Sequence, residues 1–377
     1  VKFRVERDVL ADAVTWVARG LSPRPPVPVL AGVLLEAHDD GTLTLSAFDY
    51  EVSARVTVAA EVSEAGTALV LGRLLADISR NLPDRPIDIA TEGNKVQVTC
   101  GSSRFSLLLM PSEDYPTLPT SPEASGTIAG DVFTQAVGQV SIAADRGDTL
   151  PILTGVRVEV EGDKVTLLAT DRYRLAMREL NWSPSASDAS HVALVPARNL
   201  SDTAKSLGAS GKVEIALGAS AGGEGLIGFE AGQRRATTRL LDGEYPKVTS
   251  IFPTSVDSVC VISTPGLVEA VKRVALVAER NTPVRLRFTD GQVIIEAGTG
   301  DDAQASEAVE ATLTGPELEI AFNPQFLLDG LGALGTAYAR LSFTQPSRPA
   351  VISGQDEADG EADESYRYVL MPVRFAN

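Results

Sequence analysis

Six basic residues fall into three pairs with one spacing: Arg73 and Arg80, Arg198 and Lys205, Arg273 and Arg280, each seven residues apart. Seven residues are about two helical turns, so in a helix each pair shares one face, opposite most of the apolar positions. A solvated helix surface is the plainer reading of any one pair. Three pairs recurring in a chain of net charge −17 fit a common basic surface instead. With no aromatics interleaved for stacking, such a surface touches a phosphate backbone without reading its sequence. Arg24, presented by the stiff run Pro23-Arg24-Pro25-Pro26, joins the set.

Catalytic chemistry finds little to work with. The two histidines, His38 and His191, each lie in or beside a turn with no second His or Cys nearby. Neither a metal site nor a Ser-His-Asp or Cys-His triad can be drawn from them, and no G-x-S-x-G is present. Carboxylates are plentiful, so a carboxylate-only hydrolase stays open, although no pair stands out. Asp171 reads as a structural residue of a strand-end turn. The Gly-rich residues 218–225 lack the Lys-Ser/Thr ending of a phosphate loop and read as a hairpin turn. No metal and no cofactor is expected.

The elements that position these residues are most legible at residues 150–175. Val156, Val158 and Val160 alternate with Arg157, Glu159 and Glu161, the period-two signature of a half-buried strand. Glu161-Gly162-Asp163-Lys164 supplies a turn, a second strand follows, and the run ends in Thr170-Asp171-Arg172-Tyr173-Arg174-Leu175. The same pattern stands at residues 28–53 and 282–302, with Ala47, Ala169 and Ala297 in register at intervals of 122 and 128 residues (169 − 47 and 297 − 169). Glu113-Asp114-Tyr115-Pro116 and Gly243-Glu244-Tyr245-Pro246 repeat likewise. Intervals this long mark whole domains. The expected partition is 1–121, 126–250 and 256–377, each running helix, strands, helix, strands, an α+β class.

Helical spacing places Val9, Leu10, Ala13, Val14, Val17 and Ala18 on one buried face. A second helix over residues 72–82 buries Leu74, Leu75, Ile78 and Leu82. Leu267, Val268, Val271, Val274, Ala275 and Ala278 form a later apolar face. Residues 116–122 and 246–255 read as linkers. The isolated Cys100 and Cys260 suggest no disulfide framework and fit a reducing compartment. No apolar run approaches the roughly 20 residues of a membrane span, so a cytoplasmic protein is expected. Residues 355–365, QDEADGEADES, read as a solvated, mobile acidic loop. A −17 chain disfavours tight nucleic-acid binding, so any basic face must be local.

KFRVERDVL at the start, Arg24 in RPPVPVL, GTLTLSAFDYE, CGSSRFSLLLMPSEDYP, LLATDRYRLA, RLLDGEYPKV, AFNPQFLLDGL and YVLMPVR together carry a resemblance. Over essentially its whole length the chain resembles the bacterial sliding clamps, the beta subunits of DNA polymerase III. The resemblance implies three tandem copies of the DNA-clamp fold, with helices lining an inner face and antiparallel sheets outside. It implies a head-to-tail homodimer that closes a ring around duplex DNA. It also implies a non-enzymatic processivity role in which replicative DNA polymerase, clamp loader and repair polymerases dock through linear peptides. Held by topology, such a ring needs only a locally basic bore, which reconciles the basic pairs with the acidic total.

Carried over by motif, the peptide pocket would comprise Leu153, Thr170, Arg172, Tyr173, Arg174, Leu175, Pro246, Ile251, Met371 and Val373, with Pro372 and Arg374 at the rim. The DNA-facing set would be Arg24, Arg73, Arg80, Arg198, Lys205, Arg273 and Arg280. Two departures bear on peptide preference: Arg172-Tyr173 stands where many clamps have Gly-His, and Ser250 where some have Arg. Pro346-Ser347-Arg348-Pro349 and the acidic stretch suggest an actinobacterial type. The rival readings are a carboxylate-based hydrolase, which needs two facing carboxylates in a cleft, and an acidic peptide adaptor without DNA, which would lack the basic face.

Overall fold

The computed structural model describes residues 1–22, 24–147, 149–219, 225–279, 282–298 and 303–374. The first third of the chain runs β1 (Lys2–Val5), α1 (Arg7–Ala18), β2 (Gly32–Ala37), β3 (Thr42–Phe48), β4 (Val52–Ala59), β5 (Glu61–Glu64), β6 (Gly66–Leu71), α2 (Gly72–Asn81), β7 (Ile87–Glu92), β8 (Lys95–Cys100) and β9 (Ser103–Leu108). The middle third follows. It runs β10 (Gly126–Ala129), α3 (Gly130–Ser141), β11 (Gly155–Glu161), β12 (Lys164–Thr170), β13 (Arg174–Asn181), β14 (Ser183–Pro184), β15 (Ser190–Pro196), α4 (Ala197–Leu207), β16 (Lys212–Ala219), β17 (Gly225–Ala231) and β18 (Arg234–Arg239). The last third has the same plan. Its elements are β19 (Ser258–Ser263), α5 (Thr264–Val274), β20 (Val284–Thr289), β21 (Gln292–Ala297), β22 (Ala305–Thr314), β23 (Leu318–Phe322), α6 (Pro324–Gly332), β24 (Tyr338–Phe343), β25 (Ala350–Gln355) and β26 (Asp363–Leu370).

Each helix is followed by a three-stranded antiparallel meander: β2-β3-β4, β7-β8-β9, β11-β12-β13, β16-β17-β18, β20-β21-β22 and β24-β25-β26. The strand that leads into each helix pairs with the first strand of the other meander in its third. Thus β1 pairs with β7, β6 with β2, β10 with β16, β15 with β11, β19 with β24 and β23 with β20. The long sequence repeat is therefore two half-length repeats that exchange their leading strands.

The chain divides into two compact units. One comprises Val1–Thr134, Trp182–Ala189 and Arg198–Leu241. It holds a five-stranded sheet, β5-β1-β7-β8-β9, and a nine-stranded sheet, β14-β10-β16-β17-β18-β4-β3-β2-β6. The other comprises Gln135–Asn181, Ser190–Ala197 and Asp242–Asn377. Its twelve-stranded sheet runs β15-β11-β12-β13-β26-β25-β24-β19-β22-β21-β20-β23.

Local chemistry explains the boundaries. Ser263 and Asn323 cap α5 and α6, their side-chain oxygens accepting amides of the first turn, with Pro265 and Pro324 fixing the entry angle. Val156, Val158 and Val160 are buried on β11 as the alternation requires. Leu10, Ala13, Val14 and Val17 bury the inner face of α1 against α2, β3 and β4.

The helix faces are narrower than the sequence suggests. Leu74, placed inward by its spacing, is 45% exposed on α2, and Val9 is exposed on α1. The α5 helix ends at Val274 and tightens into a 3-10 turn, Ala275–Val277, so Ala278 is not on its face and Leu276 stands 83% exposed. The acidic stretch is not a free loop. Gln355 ends β25 buried, its Nε2 donating to the carbonyls of Glu357 (2.8 Å) and Ala358 (3.0 Å), and Asp363 already belongs to β26. The expected turn at residues 218–225 has Ala219 opposite Gly225 at its base, and its residues 220–224 lie outside the described ones.

Candidate functional site

One aspartate builds the turn between β12 and β13. Asp171 Oδ1 accepts the amides of Tyr173 (3.0 Å) and Arg174 (3.0 Å), and Oδ2 accepts Arg174 Nε (2.9 Å). Thr170 Oγ1 accepts the Arg172 amide (3.2 Å) and donates to the Arg174 carbonyl (2.6 Å). The turn leaves Arg172 at φ 78°, a left-handed conformation that favours glycine. The Thr170 amide in turn donates to the Tyr245 hydroxyl (2.9 Å), which ties the connection into the last third onto the end of β12. Burial pushes the Tyr245 phenol up to about 12, so it stays neutral.

Successive residues of β13 face opposite sides of the sheet. Arg174 turns toward α6: Nη1 donates to Asp329 Oδ2 (2.7 Å), and the guanidinium lies 4.2 Å over the Phe326 ring. Burial opposes its charge, but Tyr368, Asp329 and Asp171 outweigh that and hold its pKa above the ordinary arginine value. Leu175 turns the other way. With Leu168, Met177, Val248 and Val369 it makes a buried apolar floor, against which Tyr245, Ile251, Phe252 and Val351 pack. Val369 sits directly across from Leu175 in the β13–β26 ladder. Met371 extends that ladder beyond β26 by donating its amide to the Tyr173 carbonyl (2.9 Å), and Val373 then donates to the carbonyl of Ala321 on β23 (2.8 Å). Beside the floor lies a cavity of about 760 Å³ with Ile251, Phe252 and Pro253 on one wall, Ser347, Arg348 and Pro349 on another, and Met371 in it.

Of the expected pocket residues, Leu175 and Ile251 meet at the floor, Thr170 joins through Tyr245, and Met371 through Tyr173. Arg172, Tyr173, Pro246, Val373 and Arg374 are exposed and Pro372 is half-buried. Leu153 is buried in the 3-10 turn Pro151–Thr154, where its carbonyl accepts the Asp145 amide (2.8 Å). Arg174 is held on the face away from the floor. Met177 and Val369 were missed, yet counting two residues on from Leu175 and two back from Met371 reaches both. Leu168, Val248 and Phe252 carry no comparable signal.

The basic residues also separate. Arg73 and Arg198 line one cavity of about 380 Å³ with Arg19, which follows α1 and escapes the seven-residue rule. Arg19, Arg73 and Arg80 line another of about 270 Å³. Arg24 and Lys205 are exposed, with no ion pair among the described residues. Arg80 is paired with Asp77, and Arg273 is clasped by both oxygens of Glu307 (3.0 and 2.5 Å), so these two have less charge to offer a ligand. Arg280 lies outside the described residues.

Three α+β thirds, each with two helices and two exchanged meanders, define the architecture of the DNA clamps. Family models agree along the chain: the DNA polymerase III beta subunit N-terminal domain matches residues 1–119, the central domain 127–247 and the C-terminal domain 249–374. The chain belongs to this family, the bacterial beta sliding clamps, which are non-catalytic processivity subunits. That removes the hydrolase and the DNA-free adaptor from consideration.

A beta sliding clamp of Streptomyces coelicolor is 61% identical over 376 residues, covering 100% of both chains. One from Micrococcus luteus is 56% identical over 313 residues, 83% of this chain and 100% of its own length. Both sources are actinobacteria, in line with the features around residues 346–349. Among solved structures, a Pseudomonas aeruginosa sliding clamp bound to griselimycin matches with TM-score 0.91 and 31% identity over 99% of each chain. The Bacillus subtilis clamp matches with TM-score 0.91 and 28% identity, over 100% of this chain and 99% of that one. Among the described residues no helix is long and apolar enough to cross a membrane.

Proposed function

We propose that two copies of this chain close head to tail into a ring around duplex DNA in the cytoplasm, and that polymerases and the clamp loader dock on it through linear peptides. The observation that carries the ring is a pattern of strand pairing. The third strand of one meander pairs with the third strand of another twice within the chain, β4 with β18 and β13 with β26. That leaves β9 and β22. β9 is a sheet edge with Phe105 41% and Leu108 64% exposed, and residues 305–310 of β22 pair with β21 alone. Pairing β9 of one copy with β22 of another would satisfy both edges and repeat the internal rule.

The helices would then face the bore, with Arg24, Arg73, Arg198 and Lys205 against phosphates and Arg80, Arg273 and Arg280 beside them. The domain partition 1–121, 126–250 and 256–377 belongs to the same reading. Docking would use the floor around Leu175, with Thr170, Arg172, Tyr173, Pro246, Ile251, Met371, Pro372, Val373 and Arg374 about it. Leu153 and Arg174 would support it from beneath.

The test is retention. The protein loaded on a nicked circle stays bound through a salt wash and runs off when the circle is cut once. In an Arg73→Glu, Arg198→Glu, Lys205→Glu variant, loading slows and loses part of its salt dependence. Equal retention on circular and linear DNA would refute the ring.

A further inference from the structure

The apolar floor is bordered by cations that form no ion pair among the described residues. Arg348 lines the cavity beside Met371, is exposed, and forms no ion pair among the described residues. Its amide donates to the Gln345 carbonyl (3.0 Å), so the turn that carries it is closed on itself. Arg367, half-buried on β26, lays its guanidinium 4.4 Å over the ring of Phe252, and Phe252 walls the same cavity. The Arg367 Nε is fully buried and has no hydrogen-bond partner. At the Met371 end stand exposed Arg172, 5.9 Å from the Tyr173 ring, and exposed Arg374, again without ion pairs among the described residues.

Of these four guanidinium groups Arg348 lines the cavity itself, whose one acid is Asp257, and the other three stand around the floor beside it. The arginines of the neighbouring strand β13 differ: Arg174 is neutralised by Asp171 and Asp329, and Arg178 by Asp363. In a chain of net charge −17, four arginines around one floor that form no ion pair among the described residues leave positive charge free for a ligand. A guanidinium stacked on an aromatic ring has a fixed plane and loses little further freedom on binding. Carboxylates match its paired donors.

We infer that this site selects acidic peptides, in which carboxylates flank the apolar anchor, and that Arg348 and Arg367 read those carboxylates. The inference rests on the peptide docking proposed above. Ser250 lines the same cavity as Arg348, so the cation there comes from the segment before β25.

Two fluorescein-labelled peptides with one shared Leu-Phe anchor test it, one flanked by two glutamates and the other by two glutamines. The full-length protein binds the glutamate peptide about tenfold more tightly at low salt, and the gap narrows as salt rises. In Arg348→Gln the gap falls to about threefold, and in Arg348→Gln with Arg367→Gln it closes, while the glutamine peptide keeps its affinity. Equal affinities in the unaltered protein, or an unchanged gap in both variants, overturn the inference. Failure of both peptides to bind the unaltered protein instead overturns the docking reading beneath it. Arg348 is exposed, so its single variant tests the idea even where the double variant is destabilised.

Discussion

The turn between β3 and β4 and the turn between β12 and β13 are built by the same bonds. Asp49 Oδ1 accepts the amides of Glu51 (3.0 Å) and Val52 (2.7 Å), as Asp171 does for Tyr173 and Arg174. Tyr50 sits at φ 73° and Arg172 at φ 78°. The Phe48 amide donates to the Tyr115 hydroxyl (2.8 Å), as that of Thr170 does to Tyr245. Arg239 donates its amide to the Glu51 carbonyl (2.9 Å), as Met371 does to Tyr173.

What differs is the side chains behind the turn. Ser53 lies opposite Thr237 where Leu175 lies opposite Val369, and the two hydroxyls bond each other at 2.5 Å. Ser46 and Arg55 hold the positions of Leu168 and Met177, three residues before and six after the turn aspartate. On the other face Val52 replaces Arg174, and the cavity beside it is the one lined by Arg19, Arg73 and Arg198. The scaffold is thus indifferent to ligand. Four or five side chains decide whether it offers an apolar cradle or a polar seam.

The sharpest way to break this comparison is to copy one junction onto the other. Leu175→Ser with Val369→Thr installs the polar seam at the floor. Removing about 2 kcal/mol of apolar contact weakens an anchored peptide by about thirtyfold. Fluorescence anisotropy measures it, with a melting curve to confirm that the sheet survives. An unchanged dissociation constant would place docking elsewhere.

Tyr245→Phe and Tyr115→Phe form a gentler pair. Each strands one backbone amide and costs about 1–2 kcal/mol in denaturant titrations, yet only Tyr245→Phe lowers peptide affinity. Burial raises both phenols from 10.0 to about 12. The fold therefore favours their neutral forms, so the stability they contribute is complete below pH 10.0 and lost as pH rises to about 12. Each Phe variant loses stability less steeply across that range, and identical slopes would show that the phenols are not the titrating groups. Smallest of all, Arg172→Gly and Tyr50→Gly relieve the left-handed conformation and each raises stability by about 0.5 kcal/mol. A loss at either position would mean that its side chain holds the turn.

Much of this was legible in the residues. The threefold repeat, the β11–β12 hairpin and the turn at Asp171 follow from alternation and turn chemistry within short windows. The half-length repeat was not, because the two halves of each third share hydrogen-bond pairing and no residue motif. Arg174 shows the same limit. Its neighbours in sequence mark it for the pocket, but alternation with Leu175 along β13 puts it on the other face, where Asp329, 155 residues away, pairs with it. Leu74 failed for the opposite reason: its spacing on α2 is right for a buried face, but that face is filled by Leu75, Ala76 and Ile78.

The sheets have a consequence for how far the repeats can be separated. Residues of the middle third are divided between them, with β10, β14 and β16 to β18 in the nine-stranded sheet and β11 to β13 with β15 in the twelve-stranded one. The stretch that repeats in the sequence is therefore not the stretch that coheres in the fold. Excising the middle copy would leave β4 and β26 each without the neighbour that now covers its edge. No repeat can be lifted out whole, and a substitution in β13 or β18 is answerable to a strand of another repeat.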